Sequence, residues 1–442
     1  MLTDSFSGSI IPSLYYLLVM VVLASFITIK FAKTQRKIIK ATLILNIISF
    51  AILIYPSVNI TYHELARKKE IKSSELSFSQ PLQTLNPIRP DIYYIVPDSY
   101  ASNSTLKNYF DFDNSEFTDY LKSKGFYVAE NSKANYPFTT PSLTSSLNMG
   151  YLDVVAEQMG VNSQDQTPLF RLTEDNQVVL YLKSLGYKYY HFGPRQLPTS
   201  LNKNADFNYT YANNQLAFSP LAGLLLEQTL FSYMVSSVDC AYVNSVLCIG
   251  SLNNRRSHYN YILDQIVKVE DTAGMDGPKF IFYHNLLTHV PYVFTVNGKY
   301  VSRAVEASRD WKENYINQLK FTNKILKQLI ETILRDSKNP PIIVLQSDEG
   351  PYPERFRSGR DNFEWKEATK DELKEKFGIL NAYYLPGVET KDLNAGISPV
   401  NTFRIILDKY FGGQLPLLED MSFAQTRYAN SYDIFNVTNS LR

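Results

Sequence analysis

Two long uncharged runs at the start of the chain constrain its fold more than any other feature. No Asp, Glu, Lys or Arg occurs from Ser5 to Ile29 or from Ala41 to Tyr62. A bilayer-spanning helix needs about 20 mostly apolar residues, so both runs are long enough. A signal peptide plus a buried core helix is the alternative, but the opening residues MLTD lack a signal peptide's positive charge. We therefore predict a membrane anchor in residues 1–63, with transmembrane helices at about 9–29 and 41–60.

Positive charge between these two runs predicts the orientation of the chain. The tail before the first run carries only Asp4. The loop between the runs carries Lys30, Lys33, Arg36, Lys37 and Lys40. The positive-inside rule places this loop in the cytoplasm. Basic residues also follow the second run, which argues the other way, but Glu64 and Glu70 dilute them. We therefore predict a multi-pass protein of the cell membrane whose large C-terminal part is extracytoplasmic.

The overall composition excludes several classes of protein. Lys and Arg number 44 and Asp and Glu 43, so a net charge of +1 provides no basic excess for nucleic-acid binding. Two cysteines cannot build a disulfide scaffold or a cysteine-rich zinc module. A hydrophobic content of 45% excludes a disordered chain. With five histidines, any histidine-dependent chemistry draws on a short list.

The rest of the chain divides into a linker and a folded domain. Residues 64–88 are polar and contain Pro and Ser, which is typical of a linker. In residues 89–442 the predicted strands are DIYYIV, GFYVAEN, YKYYHFG, KFIFYHNLL, PPIIVLQ and LNAYYLPG. The predicted helices include 114–124, PSLTSSLNM, VVLYLKSLG, 304–336 and SPVNTFRIILDKYFG. This alternation predicts an α/β fold with a mostly parallel sheet flanked by helices. Sheets of this kind bind ligands at the carboxyl ends of their strands.

Carboxylates and a histidine follow three of these strands. Asp98 follows DIYYIV, and His289 follows KFIFYHNLL. Asp348 and Glu349 follow PPIIVLQ. Carboxylates that converge at strand ends, together with a hydroxyl, predict an oxygen-rich site for a divalent metal. Taken singly, each residue also fits an ordinary role as a cap, a turn residue or a surface histidine.

A threonine at a helix start is a candidate nucleophile. Thr139 and Thr140 precede Pro141, which is favourable at the first position of a helix, so one threonine is expected to cap that helix. A hydroxyl there lies among free backbone N–H groups, in a field that stabilises an alkoxide and binds phosphate or sulfate. A plain capping role is the alternative.

Two further features of the domain are weaker signals. The charged stretch from Arg355 to Lys376 is expected to be a solvated insertion, or alternatively a mobile lid over the site. Cys240 and Cys248 either form a small disulfide outside the membrane or remain buried thiols.

Four segments, in their order along the chain, resemble the alkaline phosphatase/sulfatase superfamily. They are DIYYIVPDSY, TTPSLTSSLNMGYL, HNLLTHVPYVF and VLQSDEGP. The similarity spans roughly residues 90–410 and is to membrane-anchored sulfatase-like proteins, relatives of lipoteichoic acid synthase and phosphoethanolamine transferases. It implies an alkaline phosphatase-like fold in which Asp98 and Asp348 bind a metal. It also implies that Thr139 is the nucleophile and a metal ligand, and that His289 meets the substrate or leaving group.

The chain departs from the superfamily pattern at the nucleophile. Sulfatases carry Cys or Ser in a Cys-x-Pro-Ser-Arg pattern and convert it to formylglycine. The matching residues here are Thr139-Thr140-Pro141-Ser142-Leu143, without the Cys or the Arg. This departure argues against a true sulfatase and for a threonine nucleophile of the phosphotransfer kind.

The second departure is Glu349, which stands where superfamily members usually carry a metal-binding histidine. As a metal ligand, a carboxylate would shift the preference from Zn toward Mn, Mg or Ca. Three carboxylates and an alkoxide would place four negative charges around one divalent ion. The excess negative charge would repel an anionic substrate. Glu349 is therefore expected to stay off the metal, to be protonated, or to be balanced by further cations.

These observations and the resemblance predict a membrane-anchored phosphotransferase that depends on a divalent metal ion (Mn, Mg, Ca or Zn). Its expected substrates are phosphoesters of lipid headgroups or envelope glycopolymers, which form a phosphothreonine at Thr139. One alternative is a phosphoric or sulfuric ester hydrolase of the same fold. Another is a catalytically inactive sulfatase-like binding protein.

Overall fold

The computed structural model describes residues 39–40, 42–50, 54, 89–194, 198–210, 255–390 and 393–442. The chain divides into two compact units, Met1–Ile71 and Lys72–Arg442. In the first unit, residues 39–40, 42–50 and 54 are helical. Within the described residues, no helix combines the length and the apolar character that a membrane crossing requires. The predicted span at 9–29, the linker at 64–88, Cys240 and Cys248 lie outside the described residues.

The second unit contains a seven-stranded sheet. Its strands are β1 (Ile92–Pro97), β2 (Tyr127–Val128), β3 (Lys188–Phe192), β4 (Phe207–Tyr209), β5 (Lys279–Asn285), β6 (Ile342–Gln346) and β7 (Asn381–Tyr384). Their order is β2-β7-β6-β1-β5-β3-β4. The pairings from β6 through β1, β5 and β3 to β4 are parallel, whereas β7 is antiparallel to β6 and β2. The predicted mostly parallel sheet is confirmed.

Helices connect these strands, and a separate antiparallel pair of short strands, β8 (Phe423–Gln425) and β9 (Ile434–Asn436), lies near the C-terminus. The helices of the first half are α1 (Asn103–Phe110), α2 (Ser115–Ser123), α3 (Thr139–Asn148), α4 (Asp153–Met159), α5 (Thr167–Glu174) and α6 (Gln177–Ser184). Those of the second half are α7 (Arg255–Asp271), α8 (Arg303–Ala307), α9 (Trp311–Asp336), α10 (Glu354–Gly359), α11 (Lys370–Phe377) and α12 (Thr402–Phe411).

The apolar sequence of β1 explains why helices cover both faces of the sheet. Successive side chains of a strand point to opposite faces, and every residue of β1 is buried. Tyr93 and Ile95 pack in one core cluster with Leu326 of α9. Tyr94 packs in the other cluster with Phe403 of α12. A strand buried on both faces reads as a continuous apolar run, which is the pattern that the sequence shows.

The predicted long helix at 304–336 is wrong as a single element. It is broken into α8 and α9 between Ala307 and Trp311. Asp310 starts the second helix, because its carboxylate accepts a hydrogen bond from the Lys312 N–H at 2.9 Å and caps α9.

The predicted threonine cap is also wrong. Phe138 occupies the cap position of α3 without a side-chain hydrogen bond, and Thr139 is the first helical residue. Pro141 is therefore the third residue of the helix, where its missing N–H is still unneeded by the helix. Because neither Thr139 nor Thr140 caps the helix, the Thr139 hydroxyl is released for another contact.

Candidate metal and nucleophile site

The register of the central strands brings two aspartates and a histidine to one edge of the sheet. Ile95 of β1 pairs with Leu345 of β6, and Asp98 and Asp348 each follow their paired residue by the same number of positions. His284, the last but one residue of β5, pairs with Val96 of β1, two residues before Asp98. The carboxyl ends of parallel strands thus bring together residues that are far apart in sequence.

The donor atoms of Asp98, His284 and Asp348 form a buried group. His284 Nε2 lies 3.3 Å from Asp98 Oδ2 and 3.9 Å from Asp348 Oδ2. One donor atom from each residue lies within 4.8 Å of the others. Two donors about 2.1 Å from one ion at the tetrahedral angle are about 3.4 Å apart. The group therefore has the dimensions and the ligand types of a divalent metal site.

The electrostatics of the group also favour a cation. His284 Nε2 and Asp348 Oδ2 are buried and make no hydrogen bond with any described residue. Burial raises the pKa of Asp98, but the charges of His289 and His284 outweigh it and hold the pKa at about 2. Burial, followed by the charge of Asp98, raises the pKa of Asp348 well above its usual value. A divalent ion between the carboxylates would remove this mutual repulsion.

Thr139 lies beside the metal-binding group at the start of α3. Its backbone N–H has no partner within the helix because it is the first helical residue. Its side chain is near enough to Asp348 to lower the pKa of that carboxyl, against the effect of burial. Ser142 Oγ donates to the Asp348 carbonyl oxygen at 2.6 Å and joins α3 to the loop after β6. The predicted nucleophile and the predicted metal ligand are thus neighbours.

Glu349 lies next to this group and has a cationic partner. Its Oε1 atom is 3.0 Å from Lys376 Nζ, and both side chains are buried. Lys376 also donates to the Gly350 carbonyl oxygen at 2.7 Å, and its ammonium lies 3.3 Å from the centre of the Tyr352 ring. Burial raises the pKa of Glu349, and the charge of Lys376 opposes this shift. Glu349 as a metal ligand stays a prediction.

His289 lies at the open side of the site. Its charge acts on the Asp98 carboxyl, and its ring is partly exposed. Its Nδ1 is 2.6 Å from the Val290 carbonyl oxygen, which can only accept, so Nδ1 carries a proton and Nε2 is not used by this contact. Gln318 of α9 donates to the His289 carbonyl oxygen at 3.1 Å and fixes the segment.

Sequence reasoning missed two residues of the site. His284 stands inside the apolar strand KFIFYHN, where it reads as a packed histidine, although its place next to the carboxyl end of β5 was a usable signal. Lys376 stands in α11 within a charged stretch, where it reads as a surface lysine. Only the tertiary structure shows that its side chain turns inward to Glu349.

The stretch from Arg355 to Lys376 is mostly exposed or half-buried, as expected of a solvated insertion, but several of its residues are buried. Phe356 and Trp365 are buried and pack against Phe138, with ring centres 5.9 and 6.1 Å from it. Phe138 directly precedes Thr139, so the two rings of the stretch pack against the residue before the start of α3. The high charge of the stretch concealed its buried aromatic residues.

A family model described as sulfatase matches residues 90–378, well over half of the chain. The chain belongs to the sulfatase family. The matched region of this sulfatase-family chain contains Asp98, Thr139, His284 and Asp348. No curated protein sequence matches the chain.

Solved structures similar to this sulfatase-family chain include transferases and a putative sulfatase. The C-terminal periplasmic domain of EptC from Escherichia coli is 14% identical with a TM-score of 0.49, over 81% of this chain and 96% of that one. The integral membrane lipooligosaccharide phosphoethanolamine transferase EptA from Neisseria meningitidis is 13% identical with a TM-score of 0.44, over 84% and 67%. The putative sulfatase YidJ from Bacteroides fragilis is 13% identical with a TM-score of 0.43, over 84% and 80%. At these values the likeness assigns no substrate to the chain.

Proposed function

We propose that this sulfatase-family chain is a metal-dependent phosphotransferase in which Thr139 is the nucleophile. The observation that supports it most is the position of Thr139 at the start of α3, a helix that Ser142 joins to Asp348, a member of the buried Asp98–His284–Asp348 group. A nucleophilic hydroxyl next to a divalent-metal site is the arrangement that phosphoryl transfer to a side chain requires.

Asp98, His284 and Asp348 are the residues that would hold the divalent ion, with Glu349 as the further predicted ligand. Such an ion would lower the pKa of the neighbouring Thr139 hydroxyl and offset the charge of the substrate. The ion-pair partner of Glu349 matters here, because Lys376 removes one of the negative charges that would repel a phosphoester.

The residues of the chain divide the reaction between them. Thr139 Oγ1, after losing its proton to solvent, attacks phosphorus, and the bond from phosphorus to the leaving oxygen breaks. The free N–H groups at the start of α3 bind the phosphate oxygens. His289, when both ring nitrogens are protonated, gives its Nε2 proton to the leaving oxygen. Water or an acceptor hydroxyl then attacks the phosphothreonine, gives its proton to His289, and releases Thr139.

The substrate class follows from the nucleophile and the predicted anchor. A threonine has neither the thiol nor the primary alcohol that is converted to formylglycine, so phosphoesters are favoured over sulfate esters. An active site held at the outer face of a membrane would meet lipid headgroups and envelope glycopolymers. We therefore assign these phosphoesters as substrates, with transfer to an acceptor hydroxyl preferred to hydrolysis.

A paired substrate panel tests this function. The full-length protein, supplied with Mn²⁺ or Zn²⁺, is incubated with phospholipids and with matched phosphate and sulfate monoesters of one alcohol. We expect phosphoesters to be cleaved and sulfate esters to be left intact. Turnover of the sulfate esters alone would contradict the proposal. Absence of both turnover and metal binding would favour the inactive binding protein.

A further inference from the structure

We propose that Thr199 is a positioning residue for the metal site, which orients His284 and is itself held in place by His191 and Gly193. This inference rests on the proposed metal-dependent function, because it assigns His284 Nε2 to the metal. The contact that supports this proposal is between Thr199 Oγ1 and His284 Nδ1, which lie 2.7 Å apart and are buried.

The hydrogen bonds that link Tyr189, His191 and Thr199 are consistent with a single position for each proton. The Thr199 carbonyl oxygen lies 2.9 Å from His191 Nε2 and can only accept, so Nε2 carries a proton. Burial lowers the pKa of His191 to about 4, so the ring is neutral and its Nδ1 accepts. Tyr189, whose hydroxyl is 2.8 Å from that Nδ1, therefore donates. The backbone of Thr199 is thus fixed by a histidine with a defined tautomer.

Gly193 provides the close approach that this arrangement needs. A Cβ atom at Gly193 would lie 1.9 Å from the Thr199 carbonyl oxygen and 2.9 Å from His191 Nε2. Any side chain there would push the Thr199 backbone away from His191. The Gly193 carbonyl oxygen is held by the Tyr261 hydroxyl at 2.6 Å and by Gln265 Nε2 at 3.0 Å. The glycine is therefore a fixed part of the support rather than a hinge.

The direction of the His284 ring follows from the Thr199 contact. When Nε2 donates its lone pair to a metal, Nδ1 must carry the proton, and Thr199 Oγ1 is then its acceptor. This contact fixes the rotation of the ring, so that Nε2 points at Asp98 and Asp348. Removal of such a supporting partner typically lowers metal affinity 10–100-fold.

The test is a Zn²⁺ titration of the full-length protein by calorimetry. Thr199→Val removes the hydroxyl with little change in shape, and Thr199→Ser is the matched control that keeps it. We expect the valine variant to bind Zn²⁺ about 10–100-fold more weakly and the serine variant to bind nearly as tightly as the wild type. Gly193→Ala should weaken binding in the same direction. The thermal midpoint of the metal-free protein is measured alongside, to separate loss of the site from loss of the fold.

A second readout follows the His284 ring proton. With five histidines, selective ¹⁵N-histidine labelling gives few ring signals, and His284→Gln assigns the one from His284. In the Zn²⁺-loaded wild type and the serine variant its Nδ1–H proton should resonate far downfield, and in the valine variant it should move upfield. Equal Zn²⁺ affinity of the valine variant and the wild type overturns the role of Thr199 while the metal site stands. A wild type that binds neither Zn²⁺ nor Mn²⁺ overturns the metal site itself, and the role of Thr199 with it.

Discussion

Glu349 Oε1 and Lys376 Nζ form a buried ion pair, 3.0 Å apart, beside the candidate metal site. The pair cancels one of the three carboxylate charges that follow strands β1 and β6. The two charges that remain, on Asp98 and Asp348, match a single divalent cation. A carboxylate in place of a metal-binding histidine is therefore compatible with an anionic substrate, because a cation of the chain accompanies it.

Removal of Lys376 should be strongly destabilising. Lys376→Met leaves the Glu349 carboxylate buried without its partner, and we expect a loss of about 3–5 kcal/mol in the free energy of unfolding, measured with urea. Lys370→Met, on the exposed side of the same helix, is the control and should change stability little. The double variant Lys376→Met/Glu349→Gln should recover part of the loss. Equal stability of Lys376→Met and the wild type would show that the pair contributes nothing.

The two threonines at the start of α3 should differ sharply. Thr139→Ala removes the proposed nucleophile, so phosphoester turnover should be lost. Thr140→Ala is the matched control, and because Phe138 rather than a threonine occupies the cap position, we expect its stability to stay within about 0.5 kcal/mol of the wild type. Turnover assays and urea unfolding of both variants make the comparison. Wild-type turnover by Thr139→Ala would refute the covalent route.

Two histidines of the site should separate metal binding from turnover. His284→Asn should weaken Zn²⁺ binding by more than about 100-fold, because loss of a mere supporting residue already costs 10–100-fold. His289→Asn should leave Zn²⁺ affinity nearly unchanged and slow turnover, since it removes the proposed proton donor. Calorimetry and initial rates on the same preparations distinguish them. Loss of Zn²⁺ affinity in His289→Asn with unchanged affinity in His284→Asn would contradict this assignment of the two roles.

Acidification should reveal the buried neutral His191. Burial lowers its pKa from 6.5 to about 4, although the hydrogen bond to Thr199 opposes the shift. Between these values the unfolded chain binds a proton that the folded chain does not, so stability falls as the pH is lowered through this window. The loss attributable to His191 is about 2 kcal/mol at pH 5. Urea unfolding at pH 7 and pH 5 should show a smaller decrease for His191→Gln, and equal decreases would contradict this.

The topology prediction rests on the charge cluster from Lys30 to Lys40. A reporter fused after Arg442 and active only outside the cytoplasm should be active in cells. Substitution of the cluster by neutral residues should reduce that activity, because the orientation signal is lost. Activity of a reporter that works only in the cytoplasm would reverse the predicted orientation and remove envelope phosphoesters as substrates.

The strand ends were the part of the site that sequence could predict. Asp98 and Asp348 follow uninterrupted apolar runs, and buried parallel strands carry their ligands at that end. The sequence did not identify His284 as a candidate ligand, because a histidine within an apolar strand looks the same whether it packs in the core or binds a metal. Its pairing with β1, which places it next to Asp98, is a long-range register that no local pattern specifies.

The sequence did not identify Lys376 and Thr199 either, for a related reason. Both act through contacts with residues distant in sequence, Glu349 and His284, so neither carries a local motif. In α11 the helix rotation alone decides that Lys376 is buried while Lys370 is exposed. The broken helix at α8 and α9 was in principle readable, because Asp310 is a favourable cap residue directly before Trp311.

Intact-mass analysis followed by peptide mapping tests the central claim, that Thr139 receives a phospho group, most directly. The wild type and Thr139→Ala are incubated with a phospholipid and Mn²⁺ or Zn²⁺, quenched in acid and digested for peptide mapping. The wild type should gain the mass of the transferred group on the peptide that contains Thr139, and Thr139→Ala should gain none. An adduct of the same mass on Thr139→Ala, or on another residue of the wild type, would contradict the claim.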